Sequence, residues 1–469
     1  MILLSCTPIL YISNDMKHLI IALFLVLITT SIRAQDEETA QIKQIFDNAL
    51  THQEAYHNLE YLCNEAPGRL LGSENSLKAI EYMKQYFKAL GVDSVYLQEF
   101  RTPAWKCDTS SVWIIPQSGK PVMLHTDALG PSPATPVEGI RAEVIEVKSL
   151  DEVEKLGKEV ISGKIVFYNR KWNPAFIRTF EGYGNAVDQR AHGPEKAAEY
   201  GAAAVIIRSV TNSTDHFPHT GNTHYPNIKI PAVAISTLDA DLLSELLQKE
   251  PKTMAKVFVD AEDIPETITY NLIAEIKGKE IPEEIIVVGG HIDSWFNTPG
   301  AHDDGAGVVM TSDVLRIFKE LNINNKRTIR AVVYMDEELY QSGGKAYALM
   351  VKNNGEKHYL ALEADAGAFT PRMFTINASE ETVGRIAAFL PYLKPYGIDE
   401  IKAGWGGVDI GPLKELGVPL MAYGTDSQRY FDMHHSANDT FDKINLRELQ
   451  LGCGCIATLI YLVDKYGIE

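Results

Sequence analysis

Apolar residues along this chain recur with two alternating periods. Between residues 39 and 91 the period is helical. Ala79, Ile80, Tyr82, Met83, Tyr86, Phe87 and Leu90 fall on one face, and Gly91 supplies a C-terminal stop. Residues 95–100 then alternate as a strand, and 103–113 lead towards a second. From 271 onward strand runs are expected over 271–276, 285–288, 329–335, 359–362 and 419–423. Between and after them come helices over 308–321, 343–351 and 381–390, and a long apolar closing helix over 446–466. The 285–288 run is continuously apolar, as in parallel strands buried on both faces. Such alternation predicts an α/β fold, a mostly parallel sheet covered by helices on both sides. In such sheets the ligand site lies beyond the carboxyl ends of the strands.

The pattern changes character near residue 118, and Gly130 to Pro136 forms a turn-rich linker. Up to about residue 265 a second alternation follows. Strands are expected over 142–147, 163–168, 201–207 and 230–235, and helices over 150–157, 194–200 and 236–247. Pro231, near the start of its strand, suggests a sheet edge. This unit carries no ligand-rich motif. We therefore expect an inserted domain over 118–265 that shapes or covers a site, within a main domain formed by 35–117 and 266–469.

The chain has 469 residues, 45% of them hydrophobic and 23% charged, as in a soluble globular protein with a sizeable core. A net charge of −18 argues against a nucleic-acid partner, which needs a basic face. Met16-Lys17-His18, the apolar run 19–28 and Ala34 before an acidic stretch have the layout of a secretory signal peptide over 1–34, cleaved after Ala34. Residues 1–15 then read as an upstream extension, with Met16 as the alternative start. The apolar run is too short for a comfortable membrane helix, and no other segment is expected to span a bilayer. The product is expected to be exported, to a periplasm or the extracellular space. Cys6 follows Leu3-Leu4-Ser5 but lacks a preceding basic region, so lipidation is not expected. Cys63, Cys107, Cys453 and Cys455 are expected to be buried free thiols. On a helix Cys453 and Cys455 point about 200° apart and cannot pair.

Chemistry concentrates after the strands of the main domain. His291 follows the 285–288 run, in Gly289-Gly290-His291-Ile292-Asp293. It can bind zinc through one ring nitrogen while Asp293 accepts a hydrogen bond from the other. In Ala301-His302-Asp303-Asp304-Gly305 adjacent aspartates repel unless a cation lies between them or one faces away. We assign Asp303 to bridge two metals, and His302 to no chemical role. Glu337-Glu338 follows the 329–335 strand, where neighbouring side chains diverge, so Glu338 is read as a ligand and Glu337 as a general acid/base. Asp336 makes a run of three acids in which a one-residue shift of register is open. Asp365 follows 359–362, and His434-His435 contains two histidines competing for one ligand place. Together His291, Asp303, Glu338, Asp365 and His435 would give two zinc ions three protein ligands each, with Asp303 shared and room for a bridging water.

The motifs Gly-Gly-His-x-Asp-Ser-Trp, Ala-x-Asp-Asp-Gly-x-Gly, Glu-Glu, Glu-x-Asp-Ala-Gly and His-His-Ser-x-x-Asp-Thr closely resemble the carboxypeptidase Q branch of the aminopeptidase-type dizinc exopeptidases. The resemblance also covers Ala66 to Ser73, Pro103-Ala104-Trp105, Gly163 to Asn169, Ile207 to Val210, Pro218-His219-Thr220-Gly221 and Gly406 to Ile410, nearly the whole mature chain. It implies a zinc-exopeptidase sheet of the phosphorylase/hydrolase-like type with an inserted protease-associated domain. It implies two zinc ions, one on His291 and Asp365, the other on Glu338 and His435, with Asp303 bridging and the Asp303–Asp304 peptide cis. It also implies Glu337 as the base, His434 as a group near the oxyanion, a homodimer, and small peptides, dipeptides above all, as substrates. Asp409 is a candidate for a substrate amino group. Relatives carry Gly soon after the Glu pair, whereas here Leu339-Tyr340-Gln341-Ser342 precede Gly343-Gly344. Two other readings are a single-zinc glutaminyl-cyclase-like transferase and a non-catalytic transferrin-receptor-like binding protein. The second usually lacks ligands that this chain keeps, and metal stoichiometry separates all three.

Overall fold

A computed structural model describes residues 37–469. The expected signal peptide, its expected cleavage site and Cys6 lie outside the described residues. The strands in chain order are β1 (Ser94–Ile115), β2 (Val122–Leu124), β3 (Thr126–Ala128), β4 (Ile140–Val147), β5 (Ile165–Tyr168), β6 (Ala204–Arg208) and β7 (Ala232–Ile235). They continue with β8 (Met254–Ile276), β9 (Ile281–His291), β10 (Arg327–Tyr334), β11 (Lys357–Ala364), β12 (Pro371–Asn377), β13 (Glu400–Ala403) and β14 (Leu420–Thr425). All join one 14-stranded sheet in the order β13-β12-β14-β11-β9-β10-β8-β4-β5-β6-β7-β3, with β1 alongside β8 and β2 alongside β1.

At its centre β10, β9, β11 and β14 run parallel, as the continuous apolar runs imply. Consecutive side chains leave opposite faces. Ile286 and Val288 enter a core built with Leu315, Phe318, Leu459 and Ile460, from the helices Ala306–Glu320 and Leu446–Tyr466. Ile285 and Val287 enter a second core with Tyr347 and Val351, from the helix Ser342–Asn354. Each such side chain contributes about 1.5–3 kcal/mol on full burial, so both faces fix the register of β9. Helix Leu446–Tyr466 is long and apolar enough to cross a membrane by composition, contrary to the expectation that no such segment follows the signal. Here it is a core helix, with Leu449, Ile456, Leu459 and Leu462 fully buried against the sheet.

The expected strands 95–100 and 103–113 are a single strand, β1, paired antiparallel with β8 over nearly its whole length. An irregularity between Thr102 and Ala104 absorbs Pro103, which cannot donate to a ladder, and a second lies between Cys107 and Thr109. β8 is likewise far longer than the expected 271–276. Its Leu272 to Ile276 end pairs with β10, and its Met254 to Val257 end pairs with β4. Chain passage between the two halves of the sheet is therefore made by one continuous two-stranded ribbon. Beyond it β4, β5, β6 and β7 run parallel, and Ile165, Phe167, Ile206 and Val233 pack with Val112, Ile114 and Val257 of the ribbon.

β7 is not an edge strand. It lies between β6 and β3, and Pro231 precedes its first residue, where the missing N–H interrupts no ladder. Strands β3, β12 and β13 and the helix Thr179–Ala186 were not anticipated. Cys63, Cys107, Cys453 and Cys455 are buried and free.

Helix Ala306–Glu320 starts hard against the end of β11. A Cβ on Gly307 would lie 1.8 Å from the Ala364 carbonyl oxygen and 2.3 Å from Asp304 Oδ1. Gly307→Ala is expected to lower the apparent thermal unfolding midpoint, through an overpacking cost of about 1–3 kcal/mol or more. Gly384→Ala, in open space on the helix Glu380–Ala387, should raise it slightly. Matching midpoints for the two variants would rule out the close contact.

Candidate active site

Four strand ends supply the expected residues. His291 closes β9, Asp336-Glu337-Glu338 follow β10, Asp365 follows β11, and the loop after β14 reaches His434 and His435. Asp303 and Asp304 precede the helix Ala306–Glu320, and the peptide between them is cis. Backbone amides hold the acidic segments in place. Asp304 accepts from the His291 amide (3.1 Å) and the Gly307 amide (3.0 Å). The carboxylate of Asp439 accepts from the amides of His302 (2.8 Å) and Asp303 (3.0 Å). Asp293 accepts from the amides of Asp336, Glu337 and Glu338 at 2.9, 3.2 and 3.3 Å. Its carboxylate is 3.7 Å from His291 Nδ1, which faces the Asp293 main-chain oxygen more closely, at 3.1 Å. Fully buried Arg69 donates to the main-chain oxygens of Ile292, Pro299 and Gly300 and ties the His291 loop to the Asp303 loop.

Asp303 lies at the centre. Its Oδ1 is 3.3 Å from His291 Nε2, and its Oδ2 is 3.3 Å from His435 Nε2. Asp365 Oδ1 is 3.8 Å from His291 Nε2, and Glu338 Oε2 is 3.2 Å from His435 Nε2. His434 stacks on His435 with ring centroids 3.6 Å apart, and its Nε2 is 3.6 Å from Asp303 Oδ2. Two groups able to hold a metal result, His291 with Asp303 and Asp365, and Asp303 with His434 and His435. His291 Nε2, Asp303 Oδ2 and Asp365 Oδ1 are buried without a hydrogen-bond partner. Converging, unsatisfied nitrogen and oxygen donors of this kind suit zinc.

The electrostatics agree. Burial pushes the carboxyls of Asp303, Asp304 and Glu338 upward, and their mutual repulsion adds to it. Glu337, in the cavity wall, is pushed up to about 8 by burial and by Asp365, Asp293 and Asp303, with His291 opposing. Burial would lower the proton affinity of His291, but Asp293, Asp303 and Asp365 outweigh it and push it well above its ordinary range. Burial holds His434 and His435 well below theirs, with Arg190 nearby adding to the effect. Divalent cations among these groups would reverse the penalty on every carboxylate. His302 is buried beside the site, stacked on Phe369, and its Nδ1 accepts from the Ala368 amide.

A cavity of about 470 Å³ opens on this centre. Asp303, Glu337, Glu338, Asp365, His434 and His435 line it. Phe180, Tyr183, Arg190, His192, Asn222 and His224, all from the 118–265 stretch, form much of its wall. The same stretch braces the histidine loop. The Thr220 amide donates to the His435 oxygen (3.0 Å), and His435 Nδ1 lies 3.3 Å from the Thr220 oxygen. His219 Nδ1 is 2.6 Å from the His434 oxygen, and Arg190 reaches His435 Nδ1 (3.4 Å) and the Tyr183 hydroxyl (2.6 Å). Asp409 is buried behind the site with both carboxylate oxygens unpartnered, and it does not line the cavity. Sequence reading did not single out Arg69, Asp439, Tyr183 or Arg190. The first two stand inside motifs already quoted; Tyr183 and Arg190 leave no local signal.

Comparison with known proteins places this arrangement. The family model described as Peptidase family M28 matches residues 271–458. Carboxypeptidase Q from Bos taurus is 32% identical over 412 residues, covering 87% of this chain and 85% of that protein. The crystal structure of a Peptidase M28 precursor from Shewanella amazonensis SB2B is similar at a TM-score of 0.87 and 33% identity, over 92% of this chain and 97% of that one. A zinc aminopeptidase from Bacillus subtilis shares the fold, with a TM-score of 0.66 and 20% identity over 87% of this chain and 94% of that one. The chain thus belongs to peptidase family M28 as a carboxypeptidase Q-like dizinc metallo-exopeptidase.

Proposed function

We propose that this exported exopeptidase hydrolyses small peptides, dipeptides above all, with Asp303 shared between two zinc ions. The observation that carries the reading is the position of Asp303, whose two oxygens face His291 and His435 at equal distances of 3.3 Å. In this reading His291 and Asp365 complete one zinc site, and Glu338 and His435 the other. Bound there, the zinc ions supply Lewis-acid polarisation of the scissile carbonyl and acidification of a water molecule. His435 is preferred to His434 as ligand because its Nε2 stands close to both Asp303 and Glu338.

Glu337 is the general base. It is the carboxylate of the cavity wall that the ligand assignment leaves free, and its raised affinity for a proton suits a group that takes a proton from water and returns it to the leaving amine. His434 is assigned to the developing oxyanion, from a place in the cavity wall next to Asp303. Asp293 positions both glutamates through the three amides that it accepts. Residues 118–265 act as an inserted domain that walls the substrate cavity, and Phe180 and Tyr183 offer aromatic surface to a substrate side chain. The cavity, about 470 Å³, suits a peptide of a few residues.

Glu337→Gln should keep zinc at the wild-type level and lower kcat by about 10²–10⁴-fold; undiminished turnover would exclude the base assignment. Asp293→Ala removes the acceptor for three amides and is expected to weaken zinc retention on dialysis by about 10–100-fold, with turnover falling in parallel. If zinc content and turnover both survive, Asp293 has no positioning role. Phe180→Ala should raise KM for dipeptides with apolar side chains several-fold and leave zinc content unchanged. A change in kcat alone would remove Phe180 from the substrate wall.

A further inference from the structure

A second constellation of metal-binding side chains lies away from the catalytic centre. His125, between β2 and β3, and His216, in the loop after β6, converge on Asp239 in the first turn of the helix Thr237–Lys249. His125 Nδ1 is 2.9 Å from Asp239 Oδ2, and His216 Nδ1 is 3.7 Å from Asp239 Oδ1. The two rings have centroids 4.4 Å apart. Around a tetrahedral zinc with bonds of 2.0–2.2 Å, neighbouring donor atoms stand roughly 3.3 Å apart, and the observed separations bracket that value.

Hydrogen bonding alone does not account for the pair of rings. Asp239 already accepts from the His125 amide (2.6 Å) and faces the ring of His125, whereas His216 at 3.7 Å is too far for a hydrogen bond. The carboxylate side chain is only 7% exposed, while the two imidazoles are 55% and 57% exposed. One buried carboxylate therefore sits beneath two accessible imidazoles, with solvent free to complete the coordination. The neighbouring Asp215 adds negative charge.

We propose that His125, His216 and Asp239 bind a further transition-metal dication, zinc foremost, at an open site that is distinct from the catalytic pair. The site bears on the loop that carries His216. That loop is fastened to the catalytic segment by Thr211 donating to the Phe431 oxygen and by Thr220 and His219 on His435 and His434. A cation here would tie the same loop to the helix Thr237–Lys249.

Zinc content per chain, measured after dialysis of the whole protein against low-micromolar free zinc, tests the site. His125→Ala and His216→Ala, both at largely exposed positions, should each retain about one zinc fewer than wild type, as expected on losing one of three protein ligands. Dipeptide hydrolysis should be unchanged in both. Equal zinc content in wild type and both variants overturns the site, whether the shared value is low or is raised by zinc bound elsewhere.

Discussion

Mutual repulsion among buried carboxylates is the constraint around which this molecule is organised. Asp293, Asp303, Asp304, Glu338, Glu363, Asp409 and Asp439 are all buried. Main-chain amides absorb part of the cost. Asp304 and Asp439 take two each, Asp293 takes three, and Glu363 takes those of Val408 and Ile410. Charge-assisted bonds of this kind are stronger than neutral ones, and they also set loop positions. Oxygens and nitrogens left without a partner remain on Asp303, Asp365 and His291 at the cavity and on Asp409 behind it.

The division of labour among neighbouring acids follows. At Asp303-Asp304 one carboxylate faces the cavity and the other turns back to close the loop on β9. At Glu337-Glu338 both amides hang from Asp293, so the two residues are placed from the loop after β9. The glycines around these pairs permit the approach. A Cβ on Gly290 would meet Asp304 Oδ2 at 2.4 Å.

Much of the candidate site could be read from the chain because its segments follow apolar runs, and strand ends of a parallel sheet meet at one edge. The periods of two and 3.6 also gave the central strands and the closing helix. Other parts left no local trace. The hold of Arg69 on residues 292–300 and of Asp439 on 302–303 spans more than 130 positions. Tyr183 and Arg190 look like ordinary helix residues until the histidine loop packs on them. Short strands such as β3 are too brief to show a period, and Pro231, the residue that suggests an edge, lies just outside β7. The joined β1 was hidden by Pro103, a residue that breaks a ladder but fits an irregularity.

The β1–β8 ribbon separates two ways in which a wall can stand over a cleft. A cap on flexible connectors swings as a rigid body, and the width of its opening is set by linker length. Here both chain crossings are hydrogen-bonded to each other, and their inward side chains belong to the cores at either end. Rotation of Tyr183 and Arg190 relative to His435 must therefore be taken up as torsion along a twisted antiparallel ladder. The register of that ladder shifts beside Pro103 and Cys107, and the bonds of Thr211, His219 and Thr220 to the histidine loop span the same cleft, so its width is held from the hinge side and from the wall side at once.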